Sequence, residues 1–537
     1  MRSQRQARVL VEFGLFFLIS GLVLLLTGSG LYAADGRAEA QAHADSGLQL
    51  ARSGDLPSAE AELRQAVTLE PRNPEFLSTL GTLLAIDHKL EESTTVFRKA
   101  LQLVPRDLTV RRYLAANLWQ LHRYSEAKQQ LQILLQQQPN DAASRLLRGM
   151  VAENTQDYPT AAKMLSSVPD EVAKRPESIA ALARSYYHLG QPEKARNTLA
   201  ELSTPAAGVQ GVLLGAEITD EAGDFDAAEK LLESVRLSSS NPAAVGYRLA
   251  LVQYHASRYA ESQSTLQNLI DSGSQTSQIY NLLGWCYHKQ KQPKQAVDSL
   301  EQAIRIAPTQ ESNYLDLEKI LLAYGPLSAA LDFAKRAAVR LPNSAKIWKF
   351  KGEIESRMSQ YTDAVSSYQH AIELDQSDAD GRLGLARAQV SAGLNSDAAS
   401  TLDAAMKRFP KDARFKVDYA AMLVKQAEAG DPHAKIRAEE MLRSAIAIDR
   451  SLPQAHYELG NLELNDGRMT EACWQLEQAV KFAPQSSQAH FALARAYRRL
   501  KRAEDAAREM DLYQKLKGTD SRSPDAGLVS DEAEKRR

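Results

Sequence analysis

Apolar residues recur along most of this chain at the intervals of amphipathic helices, with short polar breaks between the groups. In the stretch from Ser277 to Gln310, one group includes Leu283 and Tyr287 and the next includes Leu300 and Ala303. Such three- and four-residue spacing places side chains on one face of a helix. A glutamine–proline pair at 292–293 separates the groups, as proline does near a helix start. The pattern predicts two helices joined by a short turn.

Small residues repeat through this pattern, mostly every 34 positions. Thirteen of the fourteen residues in the first set are Gly or Ala: Gly47, Gly81, Ala115, Gly149, Ala183, Gly215, Ala250, Gly284, Glu318, Gly352, Ala386, Ala420, Gly460 and Ala494. The second set follows twelve residues later, with only Ala438 out of register: Ala59, Ser93, Ala127, Ala161, Ala195, Ala227, Ser262, Ala296, Ala330, Ala364, Ala398, Ala438, Ala472 and Ala506. A fixed period of this size predicts a stacked repeat array, in which small residues lie where paired helices cross.

The repeats resemble the tetratricopeptide repeat, a helix–turn–helix unit of 34 residues. Residues that match its pattern in two of the units are Trp348, Gly352, Ala364, Tyr368, Ala371, His456, Leu459, Gly460, Ala472, Leu476, Ala479 and Pro484. The resemblance implies an all-α fold, a right-handed α-solenoid of about 14 repeats over residues 40–517. It also implies that the first helix of each repeat lines a concave groove that binds partners.

Three irregularities interrupt the period. Glu318 replaces a small residue, which predicts a looser or shifted helix crossing in the ninth repeat. The spacing shortens to 32 before Gly215 and lengthens to 40 before Gly460. We expect the extra residues near 427–435 to lengthen the first helix or the turn of their repeat.

The N-terminus has the layout of a secretory signal. Arg2, Arg5 and Arg8 precede an apolar run from Phe13 to Leu26, and small residues follow at 33–34. The run is short for a membrane span, which needs roughly 20 residues. We predict a signal peptide over residues 1–34, cut after residue 33 or 34, with an uncleaved N-terminal anchor as the alternative. A linker at 35–39 and a disordered polar tail at 518–537 complete the predicted organisation. Either reading of the N-terminus exports the repeats to the periplasm, the outer face of the inner membrane or the exterior.

Composition and motifs give no support for catalysis. The net charge of −2 argues against nucleic-acid partners. No metal-binding or phosphate-binding motif and no nucleophile motif occurs, and the repeats leave no room for an enzyme domain. We therefore predict a protein without catalytic residues, metal sites or cofactors.

The repeat register predicts which side chains face the groove. With the small residue as position 8, they are positions 2, 5, 9, 12 and 13 of each repeat, here called the first-helix stripe. The central candidates, which combine aromatic, basic and amide groups, are Arg112, Trp119, Arg184, Tyr187, His188, Tyr247, Tyr254, Asn281, Trp285, His288 and Lys289. Aromatic and arginine side chains anchor many interfaces. The alternative is that these aromatic residues pack between neighbouring helices.

A second basic patch comprises Arg495, Arg498 and Arg499 in the last repeat, where either an acidic partner or a polar cap for the array explains the charge. Chaperone-binding members of the family clamp a C-terminal carboxylate with Lys at position 5 and Asn at position 9. No repeat here has that pair.

The leading hypothesis is a non-enzymatic exported scaffold that binds protein or peptide partners in the groove. The resemblance implies a context of cell-envelope assembly or secretion. The alternative is a polysaccharide-binding scaffold in exopolysaccharide export, in which Trp119, Tyr187, Tyr254 and Trp285 stack on sugar rings. Membrane contact is expected only through an uncleaved N-terminal segment.

Overall fold

The computed structural model describes residues 34–203, 208–428 and 431–520, and within them the secondary structure is helical without strands. The predicted signal or anchor lies outside these residues except for Ala34, and the predicted tail lies outside beyond Asp520. Within the described residues, no helix combines the length and the apolar character needed to cross a bilayer.

The chain forms two compact units that divide between Ser274 and Gln275. The helices of the N-terminal unit are α1 Ala34–Ser53, α2 Leu56–Leu69, α3 Pro74–Ile86, α4 Leu90–Leu103, α5 Leu108–Gln120, α6 Tyr124–Gln137, α7 Ala142–Asn154, α8 Tyr158–Ser166, α9 Pro169–Ala173, α10 Pro176–His188, α11 Pro192–Leu199, α12 Gly208–Glu221, α13 Phe225–Val235, α14 Pro242–His255 and α15 Tyr259–Asp271, with a 3-10 turn at Ala200–Ser203.

The helices of the C-terminal unit are α16 Ser277–Lys289, α17 Pro293–Ile306, α18 Glu311–Tyr324, α19 Leu327–Arg340, α20 Ala345–Arg357, α21 Tyr361–Leu374, α22 Ala379–Ser391, α23 Asn395–Arg408, α24 Arg414–Glu428, α25 Pro432–Ile448, α26 Pro453–Asn465, α27 Met469–Phe482, α28 Ser487–Arg499 and α29 Ala503–Asp520. The two units contain the fourteen predicted helix pairs, and the short α9 is an addition to them.

The boundaries differ from the sequence prediction at both ends. Helix α1 begins at Ala34 and therefore includes residues 35–39, where a linker was predicted. Helix α29 continues to Asp520, three residues into the predicted tail. The long repeat near Gly430 has extended helices, with 15 residues in α24 and 17 in α25.

Close helix crossings explain the small-residue pattern. A Cβ atom added at Gly284 would lie 2.7 Å from Leu300 Cγ, and one added at Gly81 would lie 2.6 Å from Phe97 Cε1. Atoms cannot approach this closely without displacement, so these positions exclude larger side chains. Where serine replaces alanine in the second set, its hydroxyl is satisfied: Ser93 Oγ donates to the carbonyl oxygen of Gly81 at 2.6 Å.

The ninth repeat departs from this packing, as its glutamate predicts. Helices α18 and α19 contact each other less extensively than the paired helices of any other repeat. Their junction also differs, because Gly325 has an extended backbone (φ −94°) and Pro326 precedes α19. The predicted looser crossing at Glu318 is confirmed.

First helices of neighbouring repeats contact one another along most of each unit. The contacts join α3, α5, α7, α10 and α12 in the N-terminal unit, and α16, α18, α20, α22, α24, α26 and α28 in the C-terminal unit. Consecutive second helices make no comparable contact in the described part of the chain. Each unit therefore presents a row of adjacent first helices, on which the first-helix stripe lies.

Candidate binding surface

Two arginine candidates of the N-terminal unit connect neighbouring repeats. Arg112 Nη2 lies 3.1 Å from Oδ1 of Asp141, the residue that caps α7. Arg184 Nη1 lies 2.6 Å from Glu153 Oε1, and its Nε lies 3.9 Å from Glu221 Oε2. These guanidinium groups are half-buried and hold adjacent first helices together; such partly exposed pairs each contribute about 0.2–1 kcal/mol.

Tyr187 and His188 also have structural partners. The Tyr187 hydroxyl donates to Asp224 Oδ2 at 2.8 Å, and burial together with this carboxylate raises the pKa of Tyr187. The exposed His188 ring stacks on Tyr158, with the ring centroids 3.9 Å apart. Of these two side chains, the histidine has the larger surface available to a partner.

The structure corrects the placement of Trp119. This side chain is 8% exposed and belongs to the same buried cluster as Leu147 and Met150. A wide apolar ring at the end of α5 gains more from burial between helices than from exposure in the stripe. Trp119 is therefore a core residue and cannot act as an exposed anchor or sugar platform.

Tyr247 and Tyr254 are half-buried on α14. The Tyr254 ring meets the edge of Tyr259 with the ring centroids 5.4 Å apart. Its neighbour His255 lies 3.0 Å from Asp220, so a contact between repeats is formed here as well. The two tyrosines keep part of their surface accessible while they pack between helices.

In the C-terminal unit, Asn281 belongs to a buried polar network. Its Nδ2 donates to Asn313 Oδ1 at 3.1 Å and to Asp316 Oδ2 at 2.9 Å. Asn313 in turn donates to Ser277 Oγ at 2.7 Å. Asn313 and Asp316 are each only 1% exposed, and such groups are stable in the interior because they are hydrogen-bonded.

Trp285 lies in an aromatic cluster of α16 and α18. The ring of His288 meets it edge-on at a centroid distance of 5.4 Å, and Tyr324 meets His288 at the same distance. The Lys319 ammonium lies 5.6 Å from the Trp285 ring centroid, in a cation–π contact. Both Trp285 and the adjacent Lys289 are half-buried. The cluster is a part of the stripe whose tryptophan face is covered by a cation.

The arginines of the second basic patch have different surroundings. The Arg495 guanidinium lies 6.0 Å from the ring centroid of Phe491, Arg498 is exposed, and Arg499 donates to the carbonyl oxygen of Leu464 at 2.7 Å. Arg498 also borders a surface cavity of about 410 Å³ that is lined mainly by α29. Both Arg498 and Arg499 are exposed, and Arg499 also connects α28 to α26.

Two cations of the C-terminal unit that are not among the predicted site residues also join neighbouring repeats. Arg387 Nε lies 2.7 Å from Asp418 Oδ2, and Lys349 Nζ lies 3.1 Å from Asp378 Oδ2. These partners are separated by 31 and 29 residues. The sequence does contain a pattern that identifies such ion pairs: a basic and an acidic residue separated by slightly less than one repeat length.

Glu318 lies in a buried environment on α18 that disfavours its charged form. Its Oε2 atom is buried and has no hydrogen-bond partner among the described residues. Burial, and secondarily the charge of Glu353, raise the pKa of Glu318 well above its ordinary value. No cluster of potential metal ligands occurs in the described residues. In the part of the chain that the structure describes, the arrangement offers surfaces for binding.

These observations define a helical-repeat protein with side chains displayed on rows of first helices. Three models of the family described as tetratricopeptide repeat match it, over residues 44–107, 114–176 and 475–521, over 242–309, and over 357–423. Together these matches cover more than half of the sequence. The chain belongs to the tetratricopeptide repeat family.

Among curated proteins, the chain is similar to cellulose synthase operon protein C of Xanthomonas axonopodis pv. citri (strain 306), with 25% identity over 50% of this chain and 18% of that protein. It is also similar to the BBSome complex member BBS4 homolog of Drosophila melanogaster, with 23% identity over 49% of this chain and 64% of that protein. The chain thus spans less than two thirds of the length of these relatives. Among solved structures, yeast Tom70 aligns with 18% identity and a TM-score of 0.39, over 90% of this chain and 93% of that one.

Proposed function

We propose that the protein is a non-catalytic scaffold whose first-helix stripe binds protein partners. The observation that carries this proposal is the row of contacting first helices in each unit, which displays charged and aromatic side chains in a fixed register. Members of the family generally bind proteins. Because adjacent repeats pack closely, the surface is formed before a partner arrives, which lowers the entropic cost of binding.

Site-specific photo-crosslinking in cells tests this proposal. A photoreactive residue at His188 or at Lys346, both exposed in the stripe, should form adducts with a partner protein. Matched positions on second helices are Lys163 on α8 and Lys335 on α19, which are also exposed. Equal adducts from both sets of positions would contradict the assignment of the binding surface.

We further propose that the repeats are exported and act in cell-envelope assembly or secretion. The basic, then apolar, then small-residue order of positions 1–34 supports export. An alkaline phosphatase fusion after residue 60 should be active, and N-terminal sequencing of the mature chain then distinguishes a cleaved signal from an anchor. An inactive fusion would rule out export.

Polysaccharide binding is a second candidate, because one relative bears the name cellulose synthase operon protein C. Its predicted platforms are less accessible than the hypothesis needs: Trp119 is buried and Trp285 lies beneath Lys319. Retention on cellulose that Trp285→Ala abolishes would favour this candidate over the protein-binding scaffold.

A further inference from the structure

The first-helix stripe differs in charge between the two units. In the C-terminal unit it has eleven cationic side chains and two acidic ones, although the whole chain has a net charge of −2. The cations are Lys289, Lys319, Lys346, Lys349, Arg357, Arg387, Arg414, Lys425, Arg495, Arg498 and Arg499, and the acids are Glu353 and Asp380. In the N-terminal unit the same positions have three cations and four acids: Arg52, Arg112, Arg184, Glu75, Glu153, Glu177 and Asp220.

In several ion pairs of the C-terminal unit the cation is more exposed than its acidic partner. The Lys319 side chain is 55% exposed, and its partner Asp316, at 3.7 Å, is 1% exposed. Arg387 is 63% exposed over Asp418 at 16%. In these two pairs the carboxylate lies beneath the cation. The two acids of the stripe itself are more exposed than their partners: Asp380 is 64% exposed and Arg414 46%, and Glu353 is 38% exposed and Arg357 21%.

Two acids beside this positive surface are buried. Burial raises the pKa of Asp418, and the nearby Arg387 guanidinium opposes that shift. Burial also raises the pKa of Glu318, beside Lys319. Burial thus opposes the ionisation of these two carboxyl groups, whereas the exposed lysines and arginines of the stripe are not subject to it.

We propose that the first-helix stripe of the C-terminal unit binds an extended, acidic segment of a partner protein. The proposal rests on the scaffold function above and adds the chemistry of the partner. Neighbouring packed helices are about 8–10 Å apart, and an extended chain of the polyproline-II type advances about 3.1 Å per residue with three residues per turn, so that every third side chain lies on one face. An acidic side chain at every third residue would therefore meet the cations of successive first helices.

The accessible groups of this stripe are suited to binding by charge rather than by stacking on aromatic rings. The face of Trp285 lies against the Lys319 ammonium, and the ring of Phe491 lies near both the Arg495 guanidinium and Tyr513. Sugar recognition by stacking needs open aromatic faces, whereas Asp and Glu side chains need accessible lysine and arginine groups. The stripe therefore favours an acidic peptide over a polysaccharide.

Fluorescence anisotropy with the purified full chain tests the proposal. The probe is a labelled peptide of about 18 residues with Glu at every third position, long enough to cross several repeats. We expect binding that weakens as salt is added, because salt screens exposed charges. The triple variant Lys319→Gln, Lys349→Gln, Arg387→Gln should bind about tenfold more weakly, from three exposed ion pairs of up to about 1 kcal/mol each.

Two controls keep the result interpretable if the triple variant loses structure, which circular dichroism would show. The variant Lys335→Gln, Arg336→Gln, Lys407→Gln removes the same charge from exposed sites on second helices and should bind like wild type. A peptide with Gln in place of every Glu, tested on the wild-type protein, should bind at least tenfold more weakly.

Equal binding of the Glu and Gln peptides would overturn the proposal. So would a folded triple variant with unchanged affinity. Binding of an alginate oligomer in place of the peptide would reassign the stripe to acidic polysaccharide. Photo-crosslinking could identify a partner that binds the stripe with an affinity unchanged by salt and by the triple substitution. In that case the scaffold function stands and the inference of an acidic segment fails. Without stripe-specific crosslinks the scaffold function itself fails.

Discussion

At the scale of single residues, the close helix crossings make glycine necessary at some repeat positions and replaceable at others. A Cβ at Gly284 would meet Leu300 Cγ at 2.7 Å, whereas a Cβ at Gly215 would meet Leu231 Cδ1 at 3.4 Å, an ordinary contact. Gly284→Ala should destabilise the protein by about 1–3 kcal/mol through overpacking. The matched Gly215→Ala should stabilise it by about 0.5–1 kcal/mol through helix propensity. Urea denaturation monitored by circular dichroism measures both changes in stability. Equal effects of the two substitutions would show that the distance between crossing helices does not determine whether glycine is required.

Glu318 gives a pH dependence of stability whose sign follows from its environment. Because burial and Glu353 raise its pKa above the ordinary 4.5, the folded state keeps a proton that the unfolded state releases. The contribution of this protonated carboxyl group to the free energy of unfolding is therefore fully present below about pH 4.5. It decreases as the pH rises towards the pKa of Glu318 in the folded protein. The melting temperature of Glu318→Gln should exceed that of wild type increasingly from about pH 4 to 7, because the amide cannot ionise. The exposed Glu440→Gln is the control; a difference that stays constant with pH would contradict the assignment.

At the scale of the helix pair, most turns between paired helices use a left-handed residue whether or not it is glycine, the ninth repeat being an exception. Gly393 has φ +79° with open space around its Cβ position, and Lys291 has φ +59° at the equivalent place. Left-handed backbone costs a non-glycine residue about 1–2 kcal/mol, and glycine loses about 0.5–1 kcal/mol more conformational freedom on folding. Lys291→Gly should thus stabilise by up to about 1 kcal/mol, and Gly393→Ala should destabilise by about as much. Urea midpoints test the pair, and a destabilising Lys291→Gly together with a stabilising Gly393→Ala would refute this account of the turn.

The repeat register made the helix pairs predictable and the contacts of individual side chains much less so. Gly284 and Ala296 identify two crossing helices because only small residues fit there. Trp119 occupies a repeat position that was predicted to face the groove, yet its side chain is buried. Its burial depends on the space between α5 and α7, which cannot be inferred from the spacing of residues within one repeat. The Arg387–Asp418 pair similarly requires knowledge of which first helices are adjacent. The spacing of small residues therefore predicts the helix pair of each repeat, whereas the side-chain contacts on the surface depend on how neighbouring repeats pack.

At the scale of the whole molecule, nearest-neighbour packing predicts that stability varies along each unit. A repeat in a solenoid gains its stability from its own helix pair and from adjacent repeats, so a weak pair opens locally. Helices α18 and α19 contact each other least, and Glu318 buries an unpartnered carboxyl oxygen there. Their amides should exchange hydrogen at least about tenfold faster than those of α20 and α21, and Glu318→Ala should reduce the difference. Hydrogen exchange with peptide-level resolution measures this, and uniform protection across α16–α23 would show that the loose crossing does not lower local stability.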